Sequence, residues 1–253
     1  MNKKLLSIKK AKKILFDNAL KIKKSEIINL ENSEGRVLAE NIYSNIDLPE
    51  ENNSALDGFA FDYRAKKNVL LTIGGVSLPG KPFLGKIKKN QVIKVFTGAY
   101  IIGKKFPFHN TVVMEEDCDV KGNLVFIKKY PAKGSNIRKQ GEDLKKKKLI
   151  LKKGYRIRTV DLAQLASIGK RKIKVFVKLK VGIFSTGNEL IDHNSRKKKF
   201  CIYDSNKLVL ISLFKKLSCD VHDLGIIQDN IFEAKEKIIK NANKFELIVT
   251  SGG

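Results

Sequence analysis

Residues 181–189 read VGIFSTGNE, and this stretch decides the fold of the second half of the chain. Its first four residues suit a short buried strand, and a loop of hydroxyl, glycine and acidic residues follows them. Four later segments alternate between helical and strand-like apolar spacing: 208–217, 221–224, 230–243 and 245–249. This alternation predicts right-handed βαβ units on a parallel sheet.

Polar loops follow all three predicted strands: 185–189 (STGNE), 225–229 (GIIQD) and 250–253 (TSGG). Ligands of parallel sheets bind beyond the carboxyl ends of the strands. Small Gly, Ser and Thr loops let backbone N–H groups approach a phosphate, and carboxylates beside a phosphate usually hold Mg²⁺. Each loop alone is explained equally well as a turn, and Asp229-Asn230 as a helix cap, but their convergence favours a ligand site.

The first half of the chain predicts one helix followed by β structure. Ile8 and Leu15 share one face of an amphipathic helix behind a Ser7 cap, with lysines on the other face. Short β-rich runs separated by Gly-rich turns fill 52–125 and indicate a mostly β domain. The Gly- and Lys-rich stretch 131–153 is typical of a solvated connector.

Length and composition indicate a globular protein. With 253 residues, 42% of them hydrophobic, the chain can form one large domain or two to three small ones. It contains neither the roughly 18 apolar residues of a membrane span nor a signal peptide, so we expect a cytoplasmic protein. Cys118, Cys201 and Cys219 are scattered, which indicates reduced thiols rather than a disulfide framework or a zinc site.

The net charge of +25 raises the question of a nucleic-acid or membrane partner. Only seven of the 51 basic residues are Arg, however, and the lysines are spread along the chain beside many Ile and Asn. Specific base or phosphate recognition usually favours the bidentate Arg fork. We therefore expect neither partner, and attribute the charge to a compositional bias that leaves a surface attractive to anionic substrates.

Three clusters upstream of the parallel sheet also contain polar residues. Residues 53–60 (NSALDGFA) and 96–99 (FTGA) have the composition of hairpin turns. Residues 134–143 (GSNIRKQGED) are less easily explained as a turn, because one short loop gathers an Arg, two acids and two glycines.

Together these blocks resemble the molybdopterin molybdenumtransferases, the MoeA type that includes the gephyrin E domain. Residues 54–60 (SALDGFA) are similar to the family signature S-x-M-D-G-Y-A. Eight further blocks follow in the family's order: 80–85 (GKPFLG), 96–99 (FTGA), 112–116 (VVMEE), 136–143 (NIRKQGED), 184–190 (FSTGNEL), 203–206 (YDSN), 223–229 (DLGIIQD) and 250–253 (TSGG). The resemblance covers essentially the whole chain.

The resemblance implies an α/β plus β, multi-domain homodimer. We expect an N-terminal helix (1–25), an elongated discontinuous β segment (26–46 and 132–175), an inserted β-rich domain (47–131) and an α/β molybdopterin-binding domain (176–253). The last of these resembles the MogA-type enzyme that adenylylates molybdopterin. The family's C-terminal β-barrel, and a site Asp that follows 250–253, are not present, so we expect a truncated chain whose α/β sheet exposes an apolar edge.

The implied reaction inserts molybdate into adenylylated molybdopterin and releases AMP, with Mg²⁺. Matching positions give the catalytic residues Asp57, Thr97, Asp143, Glu189 and Asp229. Glu189 and Asp229 are the expected metal ligands, and Thr97 with the backbone of Gly98 is expected to donate hydrogen bonds to an oxyanion. Asp57 would approach from the other subunit, and Asp143 would support its loop with Arg138. The expected cofactor-binding residues are Ser185, Thr186, Gly187, Ser251, Gly252 and Gly253.

Departures from the family pattern leave alternatives open. The motif T-G-A-P ends in Tyr100, the following loop at 101–110 is longer than usual, and Leu56 and Phe59 replace Met and Tyr. Losing the proline and lengthening the loop would loosen the placement of Thr97. The alternative to an active transferase is a non-catalytic remnant or scaffold that binds pterin or partner proteins. The molybdopterin adenylyltransferase and other proteins of the cofactor pathway are candidate partners.

Overall fold

The computed structural model describes residues 6–19, 21–64, 67–102 and 109–252. The chain divides into two compact units. Ile42–Leu151 forms the middle unit, and Met1–Asn41 together with Lys152–Gly253 forms the flanking unit. Most of the long loop predicted at 101–110 lies outside the described residues.

The helices within the described ranges are α1 (Ile8–Asn18), α2 (Thr159–Ser167), α3 (Ser205–Lys216) and α4 (Ile231–Ala242). The strands are β1 (Ser25–Asn29), β2 (Ile42–Tyr43), β3 (Asn53–Ser54), β4 (Gly58–Asp62), β5 (Leu70–Ser77), β6 (Gln91–Val95), β7 (His109–Met114), β8 (Cys118–Lys121), β9 (Leu124–Ile127), β10 (Ile137–Arg138), β11 (Leu149–Leu151), β12 (Lys172–Phe176), β13 (Lys180–Thr186), β14 (Leu190–Ile191), β15 (Ile202–Tyr203), β16 (Asp220–Ile227) and β17 (Leu247–Ser251). Single 3₁₀ turns lie at Leu30–Asn32 and Glu115–Asp117. None of the described helices has the length and apolar character needed to cross a bilayer.

A six-stranded sheet in the order β7-β4-β6-β5-β9-β8 forms the core of the middle unit. Successive residues of a strand point to opposite faces, and both faces of this sheet are apolar. Phe59, Phe61 and Val113 belong to one buried cluster, whereas Ala60 and Val112 belong to another. Burial on both faces explains why β4 and β7 contain the continuous apolar runs 59–61 and 112–113.

Two short antiparallel pairs complete the middle unit: β2 with β11, and β3 with β10. The second pair corrects the hairpin interpretation of 53–60. β3 pairs with β10 from the 134–143 loop, whereas β4 pairs with β6 and β7, so the Asp57-Gly58 turn does not join two partner strands. This turn connects β3, which belongs to one sheet, to β4, which belongs to another.

The flanking unit contains a three-stranded parallel sheet in the order β16-β13-β17, which confirms the predicted α/β fold. β13 lies in the centre, and its residues 181–185 are all buried. The helix α3 packs against β13 and β16, and α4 connects β16 to β17. Apolar side chains of both helices are exposed, among them Val209, Leu213 and Ile239.

The flanking unit also contains an antiparallel pair of β1 with β12, a parallel pair of β14 with β15, and the helices α1 and α2. The hydroxyl of Ser7 accepts a hydrogen bond from the backbone N–H of Lys10, which confirms the predicted cap of α1. Helix α2 was not predicted from the sequence. Its first turn is held by Asp161, whose carboxylate accepts from the N–H of Arg158. The predicted boundaries of the discontinuous β segment and the inserted domain stay predictions.

Candidate active-site edge

The carboxyl ends of β13, β16 and β17 meet at one edge of the parallel sheet. Thr186 lies in register with Ile227, and Ser185 with Ser251. Because the strands are parallel, the loops that follow these residues project on the same side. The sheet therefore brings together the three predicted polar segments of the flanking unit. Their first residues, 185–186, 225–227 and 250–251, belong to the strands rather than to loops.

The first two loops are joined by backbone and side-chain hydrogen bonds. The N–H of Gly187 donates to the carbonyl of Ile227 at 3.1 Å. The N–H of Asn188 donates to Oδ2 of Asp229 at 3.3 Å, and the N–H of Asp229 donates to Oδ1 of Asn188 at 3.0 Å. This reciprocal pair fixes the position of Asp229 relative to the loop that carries Glu189.

Glu189 and Asp229 both carry exposed carboxylates at this edge. A Cβ atom on Gly187, where φ is +145°, would lie 2.6 Å from Oε2 of Glu189. The carboxylate thus occupies the space that any larger residue at 187 would fill. Asn230, rather than Asp229, caps α4, because its Oδ1 accepts from the N–H groups of Phe232 and Glu233. Asp229 is therefore not consumed by the helix cap that the sequence also suggested.

The third loop approaches the first through Thr186 and Gly252. The hydroxyl of Thr186 donates to the carbonyl of Ser251 at 3.1 Å, and a Cβ on Gly252 would lie 2.5 Å from that hydroxyl oxygen. Ser185 is fully buried, and its hydroxyl has no hydrogen-bond partner within the described part of the chain. Gly253 lies outside the described residues.

The middle unit brings Asp57 and Thr97 together. Oδ1 of Asp57 accepts from both the backbone N–H and the hydroxyl of Thr97, each at 2.8 Å. These two bonds, the backbone one first, hold the pKa of the Asp57 carboxyl below its usual value, with a smaller contribution from Lys94. Both residues are exposed, so Oδ2 of Asp57 stays open to solvent or to a ligand.

The hydrogen atoms that Thr97 and Gly98 are predicted to donate to an oxyanion have protein acceptors in this structure. Both N–H and O–H of Thr97 donate to Asp57, and the N–H of Gly98 donates to the carbonyl of Ser54 at 2.8 Å. Each of these hydrogen atoms already has one acceptor. The groups of Asp57 and Thr97 that remain open are therefore acceptors: the second carboxylate oxygen and the lone pairs of the hydroxyl. The oxyanion-donor role of Thr97 and Gly98 stays a prediction, and an oxyanion would have to replace these acceptors.

Asp143 belongs to a separate ion-pair group of the middle unit. Arg138 contacts Glu142 at 2.7 Å and Asp143 at 2.5 Å, and the N–H of Lys139 donates to Glu142. The hydrogen bonds that Arg138 donates to both carboxylates, the one to Asp143 first, raise its pKa. The predicted support of Asp143 by Arg138 is present in the structure.

Lys207 is a charged residue that was not selected from the sequence. Its side chain is 2% exposed, and its ammonium group lies 3.0 Å from Asp223, 3.4 Å from Asp192 and 3.7 Å from Asp204. A lysine in the first turn of a helix is ordinarily solvated. Here Asp204 is the N-cap of the same helix, whereas Asp192 and Asp223 come from distant segments that only the fold brings to Lys207.

Comparison with known proteins finds two family matches that together span nearly the whole chain. The family described as "MoeA N-terminal region (domain I and II)" matches residues 6–169, and "Probable molybdopterin binding domain" matches 182–253. A molybdopterin molybdenumtransferase of Haemophilus influenzae is 34% identical over 232 residues, covering 90% of this chain. One from Staphylococcus epidermidis is 31% identical and covers 98%.

Solved structures agree with these matches. A molybdopterin biosynthesis MoeA protein from Pyrococcus horikoshii superimposes with a TM-score of 0.87 at 32% identity, covering 99% of this chain and 67% of that one. A second structure of the protein from this organism gives a TM-score of 0.82 at 30% identity. The chain spans 56% and 59% of the length of the two curated relatives.

Proposed function

Since the chain belongs to the MoeA family of molybdopterin molybdenumtransferases, we propose that it acts in molybdenum cofactor biosynthesis. The proposed reaction takes adenylylated molybdopterin and molybdate as substrates, inserts molybdenum into the pterin and releases AMP. The observation that carries the proposal is the meeting of three polar loops at the carboxyl edge of β13, β16 and β17. That edge has the position at which parallel sheets bind phosphorylated ligands.

The exposed carboxylates of Glu189 and Asp229 fit a magnesium site. Both are hard oxygen donors on adjacent loops, and the described residues contain no group of three or more acidic, His or Cys side chains that could hold a metal ion. Mg²⁺ is commonly bound by one or two carboxylates and completes its shell with water and substrate phosphates, so a two-carboxylate edge suits it. When bound, the ion would offset the negative charge of the pyrophosphate and of the leaving AMP.

Residues of the neighbouring loops would position the substrate beside Glu189 and Asp229. Thr186, Gly187, Ser251 and Gly252 would form the narrow cradle for the nucleotide or pterin phosphate, because glycines let backbone N–H groups come close. Ser185 would support this cradle from beneath, since it is fully buried. In the middle unit, the open oxygen of Asp57 would orient water or a metal-bound group, and Asp143 would hold its own loop.

We also propose a homodimer in which Asp57 approaches the site of the partner subunit. Sedimentation equilibrium of the chain tests this arrangement, and a monomer at micromolar concentration would contradict it. The adenylyltransferase that supplies the adenylylated pterin is the proposed partner protein.

The reaction is tested by measuring AMP release from adenylylated molybdopterin with molybdate, with and without Mg²⁺. Glu189→Ala and Asp229→Ala should each reduce Mg²⁺-dependent release by at least about tenfold. Glu236→Ala, an exposed acid on α4, is the matched control and should retain full release. Unchanged release in the first two variants would remove both residues from the metal site. Binding of the pterin without release by the unmodified chain would indicate the non-catalytic alternative.

A further inference from the structure

Three carboxylates from three different segments surround the buried ammonium group of Lys207. Asp192 follows β14, Asp204 is the N-cap of α3, and Asp223 lies within the edge strand β16. Asp204 is itself 2% exposed, and its Oδ2 has no hydrogen-bond partner within the described residues. A buried charge with this many opposite partners is strongly held in place, because any displacement would leave a carboxylate unpaired.

The cluster connects directly to the loops of the candidate site. Asp192 lies three residues after Glu189, and Asp223 lies in β16, six residues before Asp229, which follows the end of that strand. Between these points the backbone is also bonded: the N–H of Ile202 donates to the carbonyl of Glu189 at 2.8 Å, and the N–H of Asp204 donates to that of Ile191 at 3.0 Å. Lys207 therefore bridges the segment that begins at Glu189 and the strand that leads to Asp229.

We infer that Lys207 is a positioning residue that sets the distance between the carboxylates of Glu189 and Asp229, an inference that rests on the proposed function. Lys207 does not touch the substrate. Its ammonium group attracts the carboxylates of Asp192 and Asp223 and so holds together the two segments that contain them. One of these segments adjoins Glu189, and the other leads to Asp229. A metal ion that needs both carboxylates binds best when this bridge is intact, as for other residues that orient metal ligands.

The experiment uses the full chain with Mn²⁺ as the probe, because carboxylate sites for Mg²⁺ also accept it. Electron paramagnetic resonance measures the Mn²⁺ dissociation constant. Lys207→Met removes the charge but keeps most of the volume, and Lys207→Arg restores the charge. Asp192→Asn is a milder change that weakens one arm of the bridge, and Lys215→Met is the control at an exposed lysine of the same helix.

Lys207→Met and Asp192→Asn should weaken Mn²⁺ binding by about tenfold. Lys207→Arg should stay within about threefold of the unmodified chain, and Lys215→Met should match it. In residue-resolved hydrogen exchange, the amides of Ile202 and Asp204 should exchange about tenfold faster in Lys207→Met, while the amides of β17 keep their rates. If Lys207→Met does not fold, the Mn²⁺ affinity of Asp192→Asn tests the inference instead.

Unchanged Mn²⁺ affinity in Lys207→Met or, for a chain that does not fold, in Asp192→Asn would overturn the inference. So would uniformly faster exchange over the flanking unit, because that result indicates a structural role alone. Glu189→Ala separates this failure from a failure of the proposed function. If that variant binds Mn²⁺ as well as the unmodified chain, the proposed metal site is wrong, and exchange at Ile202 and Asp204 still reports whether Lys207 holds the loop.

Discussion

Asn188 and Asp229 hydrogen-bond each other twice, each backbone N–H donating to the side-chain oxygen of the other. The two residues belong to loops that follow different strands and are 41 positions apart in the sequence. Reciprocal bonds of this kind hold two loops as one rigid element, because each side chain satisfies a donor that the other loop leaves free. Asn230 caps the following helix, which leaves the carboxylate of Asp229 available at the edge.

Asn188→Ala should therefore impair the site more than the fold. The substitution removes the acceptor of the Asp229 N–H, so the carboxylate of Asp229 loses its fixed position. We expect Mn²⁺ affinity to fall by about tenfold, with a loss of about 1 kcal/mol in unfolding free energy for the missing hydrogen bond. Calorimetric titration with Mn²⁺ and urea denaturation measure the two quantities. Asn194→Ala on the next loop is the control, and an equal loss of affinity there would contradict the role of Asn188.

Thr97→Val should raise the pKa of Asp57. The carboxyl now receives two hydrogen bonds from Thr97, and valine removes the one from the hydroxyl while keeping the backbone N–H. The pKa should move toward the ordinary aspartate value without reaching it. A carboxyl with a depressed pKa stabilises the fold above its ordinary pKa, and this stabilisation is lost as the pH falls through the folded pKa. The unfolding free energy of the variant should therefore fall less than that of the unmodified chain as the pH is lowered through the pKa of Asp57.

Titration of the Asp57 carboxyl carbon by nuclear magnetic resonance measures this pKa. Thr72→Val on β5 is the matched control, since valine suits a strand and Thr72 makes no described contact with Asp57. An Asp57 pKa that is the same in Thr97→Val and in the unmodified chain would show that the hydroxyl bond is not formed in solution.

The parallel sheet was predictable because its signal is local. Short stretches of sequence show the apolar residues of β13, β16 and β17. They also show the helical spacing of apolar residues in α3 and α4. The ends were less accurate: β13 also includes Lys180 and Thr186, whose backbone hydrogen bonds extend the strand past its apolar residues. Helix α2 has only nine residues and a weak apolar stripe, so its presence depends on packing that a sequence window does not contain.

The sequence predicts which residues belong to the candidate site, but it does not predict which of them hydrogen-bond or ion-pair with one another. The family blocks and the strand ends placed Glu189 and Asp229 at one edge. The hydrogen bond from Thr97 to Asp57, in contrast, joins residues 40 positions apart, and no sequence pattern predicted that pairing. Lys207 was missed for the same reason. Its burial is produced by acids from separate elements, and no spacing rule in a single sequence reveals such a cluster.

Gly58→Ala should destabilise the middle unit strongly, although alanine is a small change. A Cβ at this position would lie 1.9 Å from the carbonyl oxygen of Val113 on the neighbouring strand β7. Backbone cannot move aside as a side chain can, so we expect a loss of about 3 kcal/mol in unfolding free energy. Gly122→Ala is the control, because Gly122 has φ of +57° with open space around it. Its expected loss is about 1 kcal/mol, and equal losses in urea denaturation would contradict the close approach at Gly58.

Cys118 should be the slowest of the three thiols to react. Burial raises the pKa of its thiol to about 12, and the neighbouring Asp117 adds to the shift. Burial also raises the pKa of Cys219, opposed by Arg156. Thiolates are the reactive form, so alkylation with iodoacetamide at pH 8 should modify the partly exposed Cys201 and Cys219 and leave Cys118 until urea is added. Peptide mass spectrometry measures the order, and early labelling of Cys118 would contradict its burial.

The same shift of Cys118 predicts a loss of stability at alkaline pH. A thiol whose folded pKa is raised contributes its full stability below the ordinary pKa of 9.0, and this contribution is lost as the pH rises toward about 12. Tyrosines and lysines titrate in the same range, so the effect of Cys118 is isolated by comparison with Cys118→Ala, which has no group to ionise. The unfolding free energy of the unmodified chain should fall more steeply between pH 9 and 11 than that of the variant. Parallel slopes in urea denaturation would mean that the thiolate is tolerated, because the sheet around it admits water.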